Sequence, residues 1–275
     1  MAERLEDLQN RLKGLDEIGQ VVGALRAIAS GQSTEARAAA DAVRLYAETL
    51  QAALTGALAG TPAPPHPAGP GQLLVVGAAQ GFSGAYPVRI ASAAREMLAA
   101  GQALLVVGRR SLAMLEEAGL SAEWSDDLPA HIAAVPDLAS RITDALLEQQ
   151  SRYPGPISVL AMDDRRDGAP AARRLFPPVL PQAPARAQPP LTTLAPAQLW
   201  IGLLAEALFA GVAEALMQGI AAEAQARVEA MARAQKNLET RHVEIERASQ
   251  QARQEQMTTE MIEISANAPP GEALF

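Results

Sequence analysis

The sequence predicts an α/β domain inserted between two long terminal helices that pair antiparallel. Three observations predict it. Residues 2–59 and 197–266 contain no proline and carry helical apolar periodicity. A proline-rich segment follows the first of these stretches. Short apolar runs bounded by glycine fill the middle of the chain, the pattern of buried parallel strands.

The first helix is read from Leu5, Leu8, Leu12, Leu15, Ile18, Val22, Leu25 and Ala29. Their steps alternate near three and four, as on a coiled-coil seam. The pattern continues through Ala36, Ala39, Val43, Tyr46, Leu50 and Leu54. A helix over this stretch spans about 85 Å at 1.5 Å per residue, more than a domain of this size can bury, so part of it needs partners. Gly14, Gly19, Gly23 and Gly31 interrupt it. Each costs about 1 kcal/mol relative to alanine, and close helix–helix packing is the expected reason for keeping them.

The segment 61–72, Pro-rich from Pro62 to Pro70, reads as a linker that no helix or strand crosses. Strands are expected at 73–77, 103–108 and 157–162, with helices near 84–100, 109–118 and 137–150 between them. Residues 165–196, with Arg165, Arg166, Arg173 and Arg174, are expected to be irregular or an edge strand. The last helix carries Leu203, Leu208, Val212, Leu216, Ile220, Val228, Met231, Leu238, Ile245, Ala252, Met261 and Ile264 and ends before Pro269-Pro270. The expected domains are therefore 1–60, 61–72, 73–196 and 197–275.

Composition narrows the function. Apolar residues make up 49% and aromatics only 3%, so alanine- and leucine-rich helix packing is expected. No cysteine is present, which excludes disulfides and thiolate metal sites. The net charge of −8 argues against nucleic acid as a partner. The start, Met1 to Asp7, has no basic region followed by an apolar run and is not read as a signal peptide. Leu199 to Ala222 is long enough to cross a bilayer but carries Glu206 and Glu214, so the chain is expected to be soluble.

No constellation of catalytic residues emerges. Gly77 to Gly84 follows a strand and precedes a helix, yet it has neither the G-x-G-x-x-G spacing nor an acidic residue about twenty positions on. It is read as a tight turn, with no nucleotide bound. His66, His131 and His242 are scattered, Asp126-Asp127 and Asp163-Asp164 lack a neighbouring base or nucleophile, and Ser83 lacks a nucleophile elbow. No cofactor and no metal are expected.

Particular residues then point to a family. Ile18 to Ala29 and Arg44-Leu-Tyr46-Ala-Glu48-Thr-Leu50 resemble the N-terminal helix of the gamma subunit of F-type ATP synthases, the latter its R-P-Y-A-E-x-L. Leu74 to Tyr86 is similar to that family's strand followed by G-L-C-G-x-[FY]. Arg227 to Asn237 resembles R-M-x-A-M-x-x-A-x-x-N, and Ala252 to Ile264 resembles A-R-Q-A-x-I-T-x-E-[IL]-x-E-I without a gap. The departures are Leu25-Arg26 for the usual Met-Lys pair, Ser83 for a cysteine, and a stretch Ser30 to Arg37 nearly stripped of the family's usual Lys and Arg. They suggest a divergent lineage, an alternative F-type ATPase encoded beside a standard one.

The resemblance implies a central rotor shaft of two antiparallel helices carrying a Rossmann-like α/β domain. It implies a non-catalytic subunit that transmits torque between the membrane c-ring and the catalytic hexamer of alpha and beta subunits, with the epsilon subunit at its foot. Localisation would be the cytoplasmic face of a bacterial inner membrane, peripheral through the complex. By matching position, Arg253 and Gln254 would contact a beta-subunit loop. Leu25, Arg26, Thr258 and Glu260 would act together in coupling. The alternative reading is a non-rotary coiled-coil adaptor or tethering protein with an α/β head.

Overall fold

The computed structural model describes residues 2–57, 68–163, 168–179 and 192–267. Helix α1 (Ala2–Ala57) is followed by β1 (Gln72–Val76), α2 (Tyr86–Met97), β2 (Ala103–Val107), α3 (Arg109–Glu117), β3 (Trp124–Asp126), α4 (Val135–Glu148), β4 (Ile157–Asp163), β5 (Ala169–Phe176) and α5 (Pro196–Asn267). The expected fold class holds: a mixed α/β sheet is inserted between long N- and C-terminal helices. Two compact units result, Met1–Ile28 with Glu229–Phe275, and Ala29–Val228.

In the larger unit the sheet order is β3-β2-β1-β4-β5. β1 pairs parallel with both β2 and β4, and β2 pairs parallel with β3. β5 runs antiparallel to β4, which makes it the edge strand allowed for by the sequence. The three-residue β3 was not expected; it is too short to give an apolar run.

Alternation along the strands assigns the two faces. Leu74, Val76, Leu105, Val107 and Val159 pack against Leu138, Ile142 and Leu146 of α4 and Leu208, Val212 and Leu216 of α5. Leu73, Val75, Leu104 and Val106 pack against Tyr86, Ile90 and Ala94 of α2 and Leu115 of α3. The part of α5 apolar enough to cross a membrane, with a mean hydropathy of 1.7, thus supplies much of one face of the sheet core. Its two carboxylates have partners. Glu214 accepts from Arg173 at 2.7 Å, and Glu206 accepts from the Tyr46 hydroxyl at 2.6 Å.

In this unit α1 and α5 run antiparallel. Tyr46 meets Glu206, and the Ser33 hydroxyl donates to the Ala221 carbonyl at 3.4 Å. A Cβ on Gly219 would stand 2.4 Å from Val76 Cγ1, so this glycine lets α5 lie directly on β1.

The smaller unit is also an antiparallel helix pair. Arg26 Nη1 donates to Gln235 Oε1 at 3.2 Å, and His242 Nε2 lies 3.4 Å from Asp16 Oδ1. Leu8, Leu15 and Val22 turn inward at steps of seven, as do Met231, Leu238, Ile245 and Ala252. Beside them runs a polar row, Gln235, His242, Ser249 and Gln256, each half-buried. A strict seven-residue period keeps one seam facing its partner helix, and polar seam positions set register at a cost in stability.

Two expectations need correction here. Gly14, Gly19, Gly23 and Gly31 do not serve close helix packing, since a Cβ on any of them would meet nothing within 4 Å. Ile18, placed on the seam by its spacing, is 52% exposed. Among earlier candidates, His66, Asp164, Arg165, Arg166 and Pro269-Pro270 lie outside the described residues, as do 61–67 of the linker.

Candidate functional site

Two features of the larger and smaller units carry chemistry: a polar joint on the turn after β1, and the surface of the helix pair. The joint is built as follows. Gly77 N–H donates to the Val107 carbonyl at 2.8 Å. A Cβ on Gly77 would fall 2.3 Å from Ser111 Cβ, so only glycine admits the serine this close. The Ser111 hydroxyl accepts from Ala78 N–H at 2.8 Å. The next two amides, Ala79 and Gln80, donate to Glu223 of α5, to Oε2 at 3.2 Å and Oε1 at 2.8 Å.

Glu223 is 6% exposed and Arg227, one turn on, is 7% exposed. Arg227 Nη2 donates to Glu223 Oε1 at 3.0 Å, Nε donates to the Gly81 carbonyl at 3.1 Å, and Nη1 donates to Gln32 Oε1 of α1 at 3.4 Å. Burial pushes the Glu223 carboxyl above its ordinary range; the two backbone amides and Arg227 oppose this. The Tyr86 hydroxyl, buried beneath, donates to the Gly219 carbonyl at 3.3 Å, and burial raises its pKa too. A cleft of about 390 Å³ opens beside the joint, lined by Gln32, Glu35, Gln80, His131, Glu223 and Arg227 among others.

The amides of Gly77 to Gln80 thus have acceptors within the chain, and the sequence reading of a tight turn describes its backbone. The Glu223–Arg227 joint was missed. A Glu and an Arg four residues apart in an otherwise apolar, alanine-rich stretch were the available signal.

On the smaller unit, Arg253 and Gln254 are both exposed, and the Arg253 guanidinium pairs with nothing among the described residues. Thr258 donates its hydroxyl to the Gln254 carbonyl at 2.8 Å, and Glu260 accepts from Gln256 at 2.9 Å. Leu25 is half-buried and Arg26 reaches Gln235. Gln235 and Thr258 are twenty-three residues apart on one helix, about 35 Å. The structure therefore does not bring Leu25 and Arg26 together with Thr258 and Glu260. Apolar side chains remain exposed on both helices, with Ile18, Val21 and Ile28 on α1 and Met257, Met261, Ile262 and Ile264 on α5.

The other carboxylate pair is structural. Asp126 Oδ2 receives Arg141 at 2.7 Å, and Asp127 Oδ1 caps Leu128 N–H at 3.0 Å. The Ser83 hydroxyl is buried and has no hydrogen-bond partner among the described residues.

Comparison with known proteins identifies the architecture. The family model described as ATP synthase matches residues 4–269, nearly the entire chain. The chain belongs to the gamma-subunit family of ATP synthases. A curated ATP synthase gamma chain from Chelativorans sp. (strain BNC1) is 30% identical over 125 residues, a match spanning 40% of this chain and 43% of that one. A chain of the Euglena gracilis mitochondrial ATP synthase, solved as OSCP/F1/c-ring in rotational state 3, superposes with a TM-score of 0.69 at 13% identity, covering 100% of both. One from the Tetrahymena thermophila mitochondrial ATP synthase central stalk and c-ring gives 0.54 at 12%, covering 78% of this gamma-family chain and 99% of that one.

Proposed function

We propose that this chain is the central-stalk rotor subunit of an F-type ATP synthase or ATPase. It transmits torque between a membrane c-ring and a catalytic hexamer of alpha and beta subunits and has no reaction of its own. The observation that carries the reading is the helix pair of the smaller unit, which leaves Ile18, Val21, Ile28, Met257, Met261, Ile262 and Ile264 exposed in a chain of the gamma family. Apolar side chains left on both helices of a two-helix unit call for a surrounding partner. An apolar sleeve around them offers few directional bonds to break per turn.

Within that reading, Arg253 and Gln254 contact a loop of the beta subunit, for which the planar Arg fork supplies charge-assisted, bidentate bonds. Thr258 and Glu260 act near the end of α5, whereas Leu25 and Arg26 act at the level of Gln235. The epsilon subunit is the proposed partner at the foot, and the complex holds the chain at the cytoplasmic face of a bacterial inner membrane. The experiment is to assemble the ATPase with and without this chain. Its omission should abolish ion-driven ATP synthesis and uncouple any residual hydrolysis from ion movement. Full coupling without it would overturn the proposal.

A further inference from the structure

β1 stands where the chain reverses direction across the sheet: it leads out to β2 and β3, and the chain then returns to β4 on the other side of β1. In open α/β sheets this is where ligands bind, beyond the carboxyl ends of the strands. Successive backbone amides in such a turn form an anion-binding concavity. Here the amides of Ala79 and Gln80 converge on one carboxylate, each holding a different oxygen. Arg227 Nη2 holds the Oε1 oxygen from a third direction. Two amides and a buried guanidinium are the donor set of an oxyanion site, and the oxyanion present belongs to the protein.

We infer that the turn Ala78–Gly81, together with Arg227, is an oxyanion-binding site whose built-in ligand is the Glu223 carboxylate, so that removing this carboxylate opens the site to a small external oxyanion. Glu223 leaves the site closed to phosphates in the unaltered chain. The same contact fastens α5 to the β1 turn, and Arg227 extends the fastening to Gln32 of α1. The cleft lined by Gln80, Glu223 and Arg227 gives an ion its route in. Glu35 lines the same cleft and disfavours large polyanions, so inorganic phosphate and acetate are the suitable probes.

The test measures thermal unfolding of the full chain as Glu223→Ala, Glu223→Gln and the unaltered protein, in chloride, phosphate and acetate at equal ionic strength. Phosphate stabilises proteins generally, so the unaltered chain supplies the baseline. Glu223→Ala should gain about 3 °C beyond that baseline, along a saturating curve, in phosphate, acetate or both. A response in acetate alone identifies a planar carboxylate site, and one in phosphate alone a tetrahedral one. Glu223→Gln, whose side chain still fills the site, should follow the baseline. A Glu223→Ala curve parallel to the baseline in both salts would overturn the inference. If Glu223→Ala folds in none of the three salts, hydrogen exchange decides. Loss of the charge in Glu223→Gln should speed exchange of the Ala79 and Gln80 amides about tenfold, and unchanged protection would overturn the site.

Discussion

The two compact units use the same two helices in opposite ways. In Ala29–Val228, α5 lies against a sheet and its Leu208, Val212 and Leu216 are fully enclosed. In the unit of Met1–Ile28 and Glu229–Phe275, Val22, Met231 and Ala252 are the buried apolar residues among those described. The other seam residues there, Leu8, Leu15, Leu238 and Ile245, are only half-buried, because a seam between two helices is open at its flanks. The first unit therefore carries a core of its own. The second leaves apolar side chains exposed, and its seam alternates apolar residues with Gln235, His242, Ser249 and Gln256. The contrast teaches that a helix with a sheet to lie on buries its apolar face, while the same helix paired only with another keeps much of that face exposed.

The sharpest way to break the contrast is to delete the same side chain in both units. Leu216→Ala should cost about 3–5 kcal/mol in chemical denaturation, because it leaves a cavity under a sheet. Leu238→Ala, half-buried on the open seam, should cost about 1 kcal/mol. Equal losses would show that the helix pair has a core of its own.

Buried charge gives the next effect. Arg173→Ala strands the Glu214 carboxylate, which is 9% exposed, and should cost about 2–3 kcal/mol. Arg253→Ala on the helix pair should stay within about 0.5 kcal/mol in the isolated chain and lower coupling only in the assembled enzyme.

The pH response tests the buried carboxyl of the larger unit. A carboxyl whose folded pKa is raised contributes most stability below its ordinary value of 4.5 and loses it as pH rises through the folded pKa. Relative to Glu223→Gln, the unaltered chain should therefore lose stability over that window. A parallel pair of pH–stability curves would remove Glu223 as the cause.

Smaller changes sharpen the picture of the two long helices. Gly23→Ala and Gly31→Ala should each raise stability by about 0.5–1 kcal/mol, since both glycines are exposed and a Cβ meets open space. A matching loss of coupling in the assembled enzyme would mean that a partner surface needs the slim helix there. Smallest of all, Met261→Ser, at a side chain 71% exposed, should leave the isolated chain unchanged and slow single-molecule rotation of the assembled motor. Unchanged rotation would count against an apolar bearing.

Much of the fold is readable in the residues because period and punctuation are local properties. Proline-free apolar repeats give α1 and α5, and glycine-bounded runs such as Leu73 to Gly77 give the strands. The polar motif Ala252 to Ile264 carried the family. Chain order alone required two terminal helices joined through an inserted domain to pair antiparallel.

What the tertiary structure decided is which positions meet. Spacing put Ile18 on the seam, but the period of seven passes through Leu15 and Val22 instead and leaves Ile18 outside. Spacing could not reveal that Gly23 and Gly31 face open space, because a glycine looks the same on either side of a helix. Nor could it bring Glu223, 143 residues from Gln80, onto the turn after β1. Such contacts depend on how helices lie on a sheet, and that geometry is set by packing among residues far apart in the chain. The sequence by itself thus determined the two long helices, the three apolar strands with the helices between them, their order and the family. Only the three-dimensional packing decided the joint that fastens α5 to the sheet, and it set Arg26 of α1 beside Gln235, about 35 Å along α5 from Thr258.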